Sequence, residues 1–213
     1  MHTFLSFKRL SPIGAAVLIL IMVVMLYPML PPDPQPAHAA TTRYAANNSE
    51  LQAALDAAQA RDTILVKNGT YTGTFTIRNN AGTASAPITL KAENLQQAKF
   101  TGDGTYSGSD PYGHNVGIDV QRPYWIIDGL DLSQYEVAVS LEASNIEVRN
   151  NLIHDFFYYG ILLANQSSSF DNIHENVIAH SPSPFTNGVG FNAGIFIRAY
   201  NKIILFEAIL FTA

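Results

Sequence analysis

Two short apolar patterns recur in this chain at nearly one interval, and that recurrence restricts the fold more than any other feature. Gly117-Ile118-Asp119-Val120, Ala138-Val139-Ser140-Leu141, Gly160-Ile161-Leu162-Leu163 and Gly194-Ile195-Phe196-Ile197 share a small-apolar-x-apolar pattern. Their first apolar members, Ile118, Val139, Ile161 and Ile195, lie 21, 22 and 34 residues apart. A second set interleaves with it at residues 126–132, 146–153 and 171–178, where Ile127, Val148 and Ile173 align at spacings of 21 and 25. Two independent patterns with one period describe stacked units, a solenoid.

The turns select the kind of solenoid. No leucine grid is present, and the repeated positions are Ile and Val, which suit strands. Asparagine tolerates the left-handed backbone region and bonds its own main chain, so it suits tight bends. Sixteen asparagines follow residue 39, and Asn151 and Asn176 take the same place in successive repeats. In coils about 4.8 Å apart they can pass amide bonds up a column. These features predict an all-β fold, a right-handed parallel β-helix over residues 61–213. Ile118, Val139, Ile161 and Ile195 should form one interior column, and Val120, Leu141, Leu163 and Ile197 another. The 34-residue interval is assigned to a loop over residues 181–192 (SPSPFTNGVGFN). Upstream, residues 63–66, 72–77, 87–91 and 99–101 read as strands. Leu51, Ala54, Leu55 and Ala58 recur at helical spacing, predicting a helix over residues 49–60, N-capped by Ser49, that covers one end of the array.

Composition limits the partners. The net charge is −5 and only 14% of residues are charged, which argues against nucleic acid, whose phosphates demand a basic surface. With no cysteine, disulfides, thiol nucleophiles and Cys-based zinc sites are excluded. Residues 1–39 differ in kind from the rest. Lys8 and Arg9 precede an apolar run over residues 13–30, then PPDPQP and Ala37-His38-Ala39, a small-x-small cleavage pattern. They are read as a signal peptide cut after Ala39, with a permanent membrane anchor as the alternative because the run is long. Both place the remainder outside the cytoplasm, secreted or at a cell-surface or periplasmic location. Residues 40–60 form the cap region.

The runs SELQAALDAAQARDTILVKNGTYTGTFTI, GTASAPITLKAENLQQAKFTGDG and YWIIDGLDLS resemble the opening of the pectate-lyase-like superfamily. Within it the nearest type is the chondroitinase B and alginate lyase class of polysaccharide lyase. The resemblance spans roughly residues 44–180 and implies a β-helix that handles acidic polysaccharide. Calcium is implied as a cofactor by the resemblance only, and the family's ligand and catalytic residues match no stretch of this chain.

Candidate sites come from the outward positions of the aligned strands. These are Asp119, Ser140, Leu162 and Phe196, followed two residues on by Gln121, Glu142, Ala164 and Arg198. A lyase needs a base for the proton alpha to a uronate carboxylate and a cation for the enolate. Glu142 and Arg198, two coils apart, are the catalytic candidates, against a reading as solvated surface charges. Phe156, Phe157, Tyr158 and Tyr159 can stack on sugar rings or pack a coil edge. Asp128 and Asp131 suit either calcium or a glycine turn. His154-Asp155 and His174-Glu175 are read at matching bends, as a stacked pair or as surface residues. Trp125 reads as core or edge packing. Two functions follow: an exported lyase on acidic polysaccharide, or a non-catalytic β-helix that binds carbohydrate or forms surface structure. Beyond Tyr200 the tail NKIILFEAILFTA carries Glu207-Ala208 where a turn asparagine is expected, and on that basis a C-terminally truncated chain is expected.

Overall fold

The repeat period is the length of one three-strand coil. The computed structural model describes residues 38–105, 115–164, 169–179 and 193–197, and the backbone of two further strands at 204–207 and 210–212. After β1 (Thr42–Ala45) and helix α1 (Asn48–Ala57), the first coil is β2 (Thr63–Val66), β3 (Gly69–Thr72) and β4 (Phe75–Ile77). The second is β5 (Ile88–Ala92), β6 (Ala98–Thr101) and β7 (Val116–Val120). The third is β8 (Trp125–Asp128), β9 (Asp131–Ser133) and β10 (Val137–Leu141), and the fourth is β11 (Glu147–Arg149), β12 (Leu152–His154) and β13 (Tyr159–Leu163). The fifth is β14 (Asp171–His174), β15 (Val177–Ala179) and β16 (Ala193–Ile197), followed by β17 (Ile204–Glu207) and β18 (Leu210–Thr212).

Among the described residues these strands form three parallel sheets, ordered β1-β2-β5-β8-β11-β14-β17, β4-β7-β10-β13-β16 and β3-β6-β9-β12-β15-β18. The chain is a right-handed parallel β-helix, the hand that parallel crossovers adopt. Both expected columns form, with Ile118 paired to Val139, Val139 to Ile161 and Ile161 to Ile195. Val120, Leu141, Leu163 and Ile197 pair likewise, although Ile197 is 40% exposed on the last described strand of its sheet. The column of Ile127, Val148 and Ile173 extends back through Leu90 to Ile64.

Each member of the second repeat set is two strands around a corner, which the periodicity alone does not resolve. Gly129, Asn150 and Glu175 hold that corner at φ 73°, 57° and 54°. The amide ladder uses the next residue. Asn151 donates from Nδ2 to Asn176 Oδ1 at 3.0 Å and to the Ile127 carbonyl at 3.0 Å, while its Oδ1 accepts from Leu130 N at 2.9 Å. The small first member of each repeat also has a steric cause: a Cβ on Gly160 would stand 2.6 Å from the Gly194 carbonyl oxygen in the next coil.

The cap helix differs from expectation at both ends, closing three residues short of the expected 60 and starting one residue before the expected 49. The helix is Asn48–Ala57, and its N-cap is Asn47, whose side chain accepts from Glu50 N at 2.9 Å, while Glu50 accepts from Ala46 N at 2.8 Å. That reciprocal arrangement outcompetes Ser49, which falls inside the first turn. Leu51, Ala54 and Leu55 are buried. On the other face Gln52 pairs with the Thr76 backbone in both directions, accepting at 3.1 Å and donating at 3.0 Å. A side-chain amide thus takes the place of a neighbouring strand at the edge of β4.

The pairing of His174 with Glu207 also moves the C-terminal alignment. By count, the sequence position matching Asn176 is 209 rather than Glu207-Ala208, and positions 208 and 209 lie outside the described residues. The loop expected at 181–192 and residues 1–37 of the expected leader lie outside them as well.

Candidate functional site

The outward face of the β4-β7-β10-β13-β16 sheet carries the catalytic candidate Glu142. Thr76, Asp119, Ser140, Leu162 and Phe196 stand in register across it. Two residues on, the stack continues through Gln121 N to Ile77 O, Glu142 N to Val120 O and Ala164 N to Leu141 O, each 2.9 Å. Glu142 therefore sits one coil from Gln121 and diagonally from Asp119. Arg198 lies outside the described residues.

Asp119 and Glu142 are electrostatically linked. The Gln121 side-chain amide donates to Asp119 Oδ2 at 2.7 Å, whereas Asp119 Oδ1 is buried without a hydrogen-bond partner. Burial pushes the Asp119 carboxyl above its ordinary value, and the Gln121 bond only partly offsets this. Glu142 is pushed up by its own burial and then by the charge on Asp119. Neighbouring carboxyls of this kind resist ionising together, and each is a stronger base than an exposed carboxylate once ionised.

The aromatic run divides between two environments. Phe156 is 3% exposed and belongs to the interior core. Tyr158 and Tyr159 are buried in a second apolar cluster with Val137 and Leu162, and the Tyr159 ring stacks on Phe196 at 4.6 Å. Phe157 keeps partial exposure. The left-handed corner at Asp155, φ 50°, turns the chain so that the rings do not form one open platform. Trp125 is fully buried and donates from Nε1 to the Asn80 carbonyl at 2.9 Å.

On the seven-stranded sheet an ion-pair ladder runs across successive coils. Lys91, Asp128, Arg149 and His174 are in register there. Asp128 meets Lys91 Nζ at 3.6 Å, Arg149 at 3.2 Å and the Asn150 amide at 2.8 Å. Arg149 also meets Glu147 at 2.6 Å, and Glu147 meets His174 at 3.1 Å. Beside the ladder a cavity of about 420 Å³ is lined by Lys91, Glu93, Leu95, Asp128 and Asn150.

The histidines do not stack. His154 lies on β12, paired to Ser133 and Ala179, while His174 lies on β14 in a different sheet. The two His-acid dipeptides look equivalent in sequence, but one ends the strand before the corner and the other the strand after it. His154 instead lies between Asp131 at 2.9 Å and Asp155 at 2.8 Å. Asp128 and Asp131 likewise occupy different sheets, and each already has a cationic or imidazole partner. Among the described residues no three His, Asp or Glu side chains group as metal ligands, and Asp128 and Asp131 do not share one site. Asp119 as the partner of Glu142, and the alternating charges of the ladder, were both open to a register argument. The first needs the burial of Asp119, which spacing does not report.

The family model described as Chondroitinase B matches residues 45–156. Three solved structures are similar. An alginate lyase from Paenibacillus sp. str. FPU-7 is 26% identical, with a TM-score of 0.66 over 80% of this chain and 58% of that one. Pectate lyase Pel9A is 21% identical, with a TM-score of 0.57 over 76% of this chain and 47% of that one. The PL6 family polysaccharide lyase Pedsa3628 from Pseudopedobacter saltans is 19% identical, with a TM-score of 0.55 over 79% and 46%. The last two likenesses concern the fold alone. The chain spans 58% or less of the length of each. No curated protein matches.

Proposed function

The chain belongs to the chondroitinase B family, within the pectate-lyase-like superfamily, and from that membership we propose an exported polysaccharide lyase acting on acidic, uronate-containing polymer. The observation that carries the reading is the family match over residues 45–156, which spans the coils bearing Asp119 and Glu142. In this proposal residues 1–39 are a cleaved leader, residues 40–60 the cap and residues 61–213 the working helix, and the product is secreted or held at the cell surface or in the periplasm. Glu142 takes the proton alpha to the uronate carboxylate. Arg198 is assigned to offset the enolate charge, the bond to the leaving sugar oxygen breaks as that oxygen takes up a proton from solvent, and a double bond remains in the new end sugar. Phe157, the partly exposed ring of the run, supplies stacking area at the coil corner, while Phe156, Tyr158 and Tyr159 are buried.

A second reading, a non-catalytic carbohydrate binder, is favoured by the outward face itself. It passes from carboxyls at Asp119 and Glu142 on the second and third coils to apolar Leu162 and Phe196 on the fourth and fifth. Incubation with alginate, pectate and chondroitin, with and without calcium, separates the two. Growth of unsaturated-uronate absorbance on one polymer supports the lyase. Retention on a polymer with no absorbance change supports the binder.

A further inference from the structure

We propose that Asp62 is the receptor for the N-terminal ammonium created when the chain is cut after Ala39. The inference rests on the cleaved-leader reading above and assigns that cut a structural purpose. Asp62 is fully buried, beside the left-handed Arg61 at φ 78° and just ahead of β2. Its carboxylate takes four donors. Oδ1 accepts from His38 Nε2 at 2.9 Å and Thr41 N at 3.0 Å, and Oδ2 accepts from Arg43 Nε at 3.0 Å and Gln59 N at 3.0 Å. Burial alone would raise its pKa, but these bonds outweigh burial and hold it below the usual carboxylate range.

Three of the four donors belong to residues 38–43, and the Ala39–Ala40 peptide bond lies between two of them. Ala39 and Ala40 are both exposed. The bond at the expected cut is therefore open to a protease, while its flanks are tied to one buried carboxylate. Hydrolysis adds water across the Ala39–Ala40 amide. Ala39 leaves as a carboxylate with the leader, and Ala40 keeps the nitrogen as an amine that takes up a proton. His38 departs too, so Asp62 Oδ1 loses one of its two donors. The new amine is one residue from Thr41 N, on a Cα about 3.8 Å from the Thr41 Cα, and rotation at Ala40 brings it to the vacated position. An α-amine is a cation at neutral pH, so it replaces the imidazole with a full positive charge. The exchange keeps β1 pinned against β2 at the capped end of the helix.

The test compares the chain beginning at Ala40 with a free amine, the same chain Nα-acetylated, and the full-length chain. At pH 7 acetylation should lower Tm by about 3 °C or more, with the free-amine form no less stable than the full-length chain. Asp62→Asn should lower Tm and remove the difference between the free and acetylated forms. The acetylation comparison needs no substitution, so it holds even if Asp62→Asn does not fold. Equal Tm values for free and acetylated forms overturn the proposal. The processing site is read separately by N-terminal sequencing of exported material. A start other than Ala40 overturns the proposal through the leader reading on which it rests, whereas equal Tm values overturn it with that reading intact.

Discussion

Single residues decide whether burial helps or costs. Asn151 is the clearest case, since all its amide atoms are engaged and none is reachable by water. Asn151→Ala takes the acceptor from the buried Leu130 N–H and a donor from the Ile127 carbonyl and Asn176 Oδ1. We expect a loss of about 3 kcal/mol by urea unfolding, against a much smaller effect for Asn150→Gly, whose left-handed corner suits glycine. Asp119 is the opposite case. Its folded-state pKa is raised, so its favourable contribution is present below the ordinary carboxylate range and is lost as pH rises through the folded value. Asp119→Asn should therefore raise Tm at pH 7 and lose that advantage in acid. The same change removes a charge that raises Glu142. If Glu142 is the base, the acid limb of turnover should move to lower pH in Asp119→Asn, a shift that pH–rate profiles would detect.

At the scale of elements, the strands and their stacking order were legible because apolar side chains must meet their counterparts one coil away. Ile118, Val139 and Ile161 show this, each fully buried and in register. Corners were less legible, because they use backbone angles that several residue types tolerate. Tyr124, Asn145 and Phe170 all adopt positive φ at the bend before the seven-stranded sheet, and no residue pattern unites them. The N-cap was misplaced by two residues because Asn47 and Ser49 both suit the role, and only the bond from Glu50 back to Ala46 separates them. The candidate site was legible as a face and not as a set of contacts. Register shows that Glu142 faces outward, whereas the burial of Tyr158, Tyr159 and Leu162 depends on packing remote in sequence. The small residue opening each repeat yields an element-level prediction. Gly160→Val places its Cβ against a strand carbonyl 2.6 Å away and should cost about 2 kcal/mol or more, measurable as a lower urea midpoint.

The whole molecule combines opposite responses to pH. The folded-state pKa of Asp62 is lowered, so its contribution is present above the ordinary aspartate range and disappears as pH falls through its folded value. Asp119 and Glu142 are raised, so their contributions fade as pH climbs through theirs. Stability should therefore peak in mild acid and decline on both sides, a profile that Tm measured against pH would display. The same electrostatics support a working face on the sheet that contains β7 and β10. Product formation by the parent chain and by Glu142→Gln, followed through unsaturated-uronate absorbance on acidic polysaccharide, tests that claim most directly. Product is expected from the parent chain and a rate at least about a hundredfold lower in the variant, with polymer binding retained. Equal rates in the two proteins, or no product from the parent chain on any acidic polymer, would contradict it.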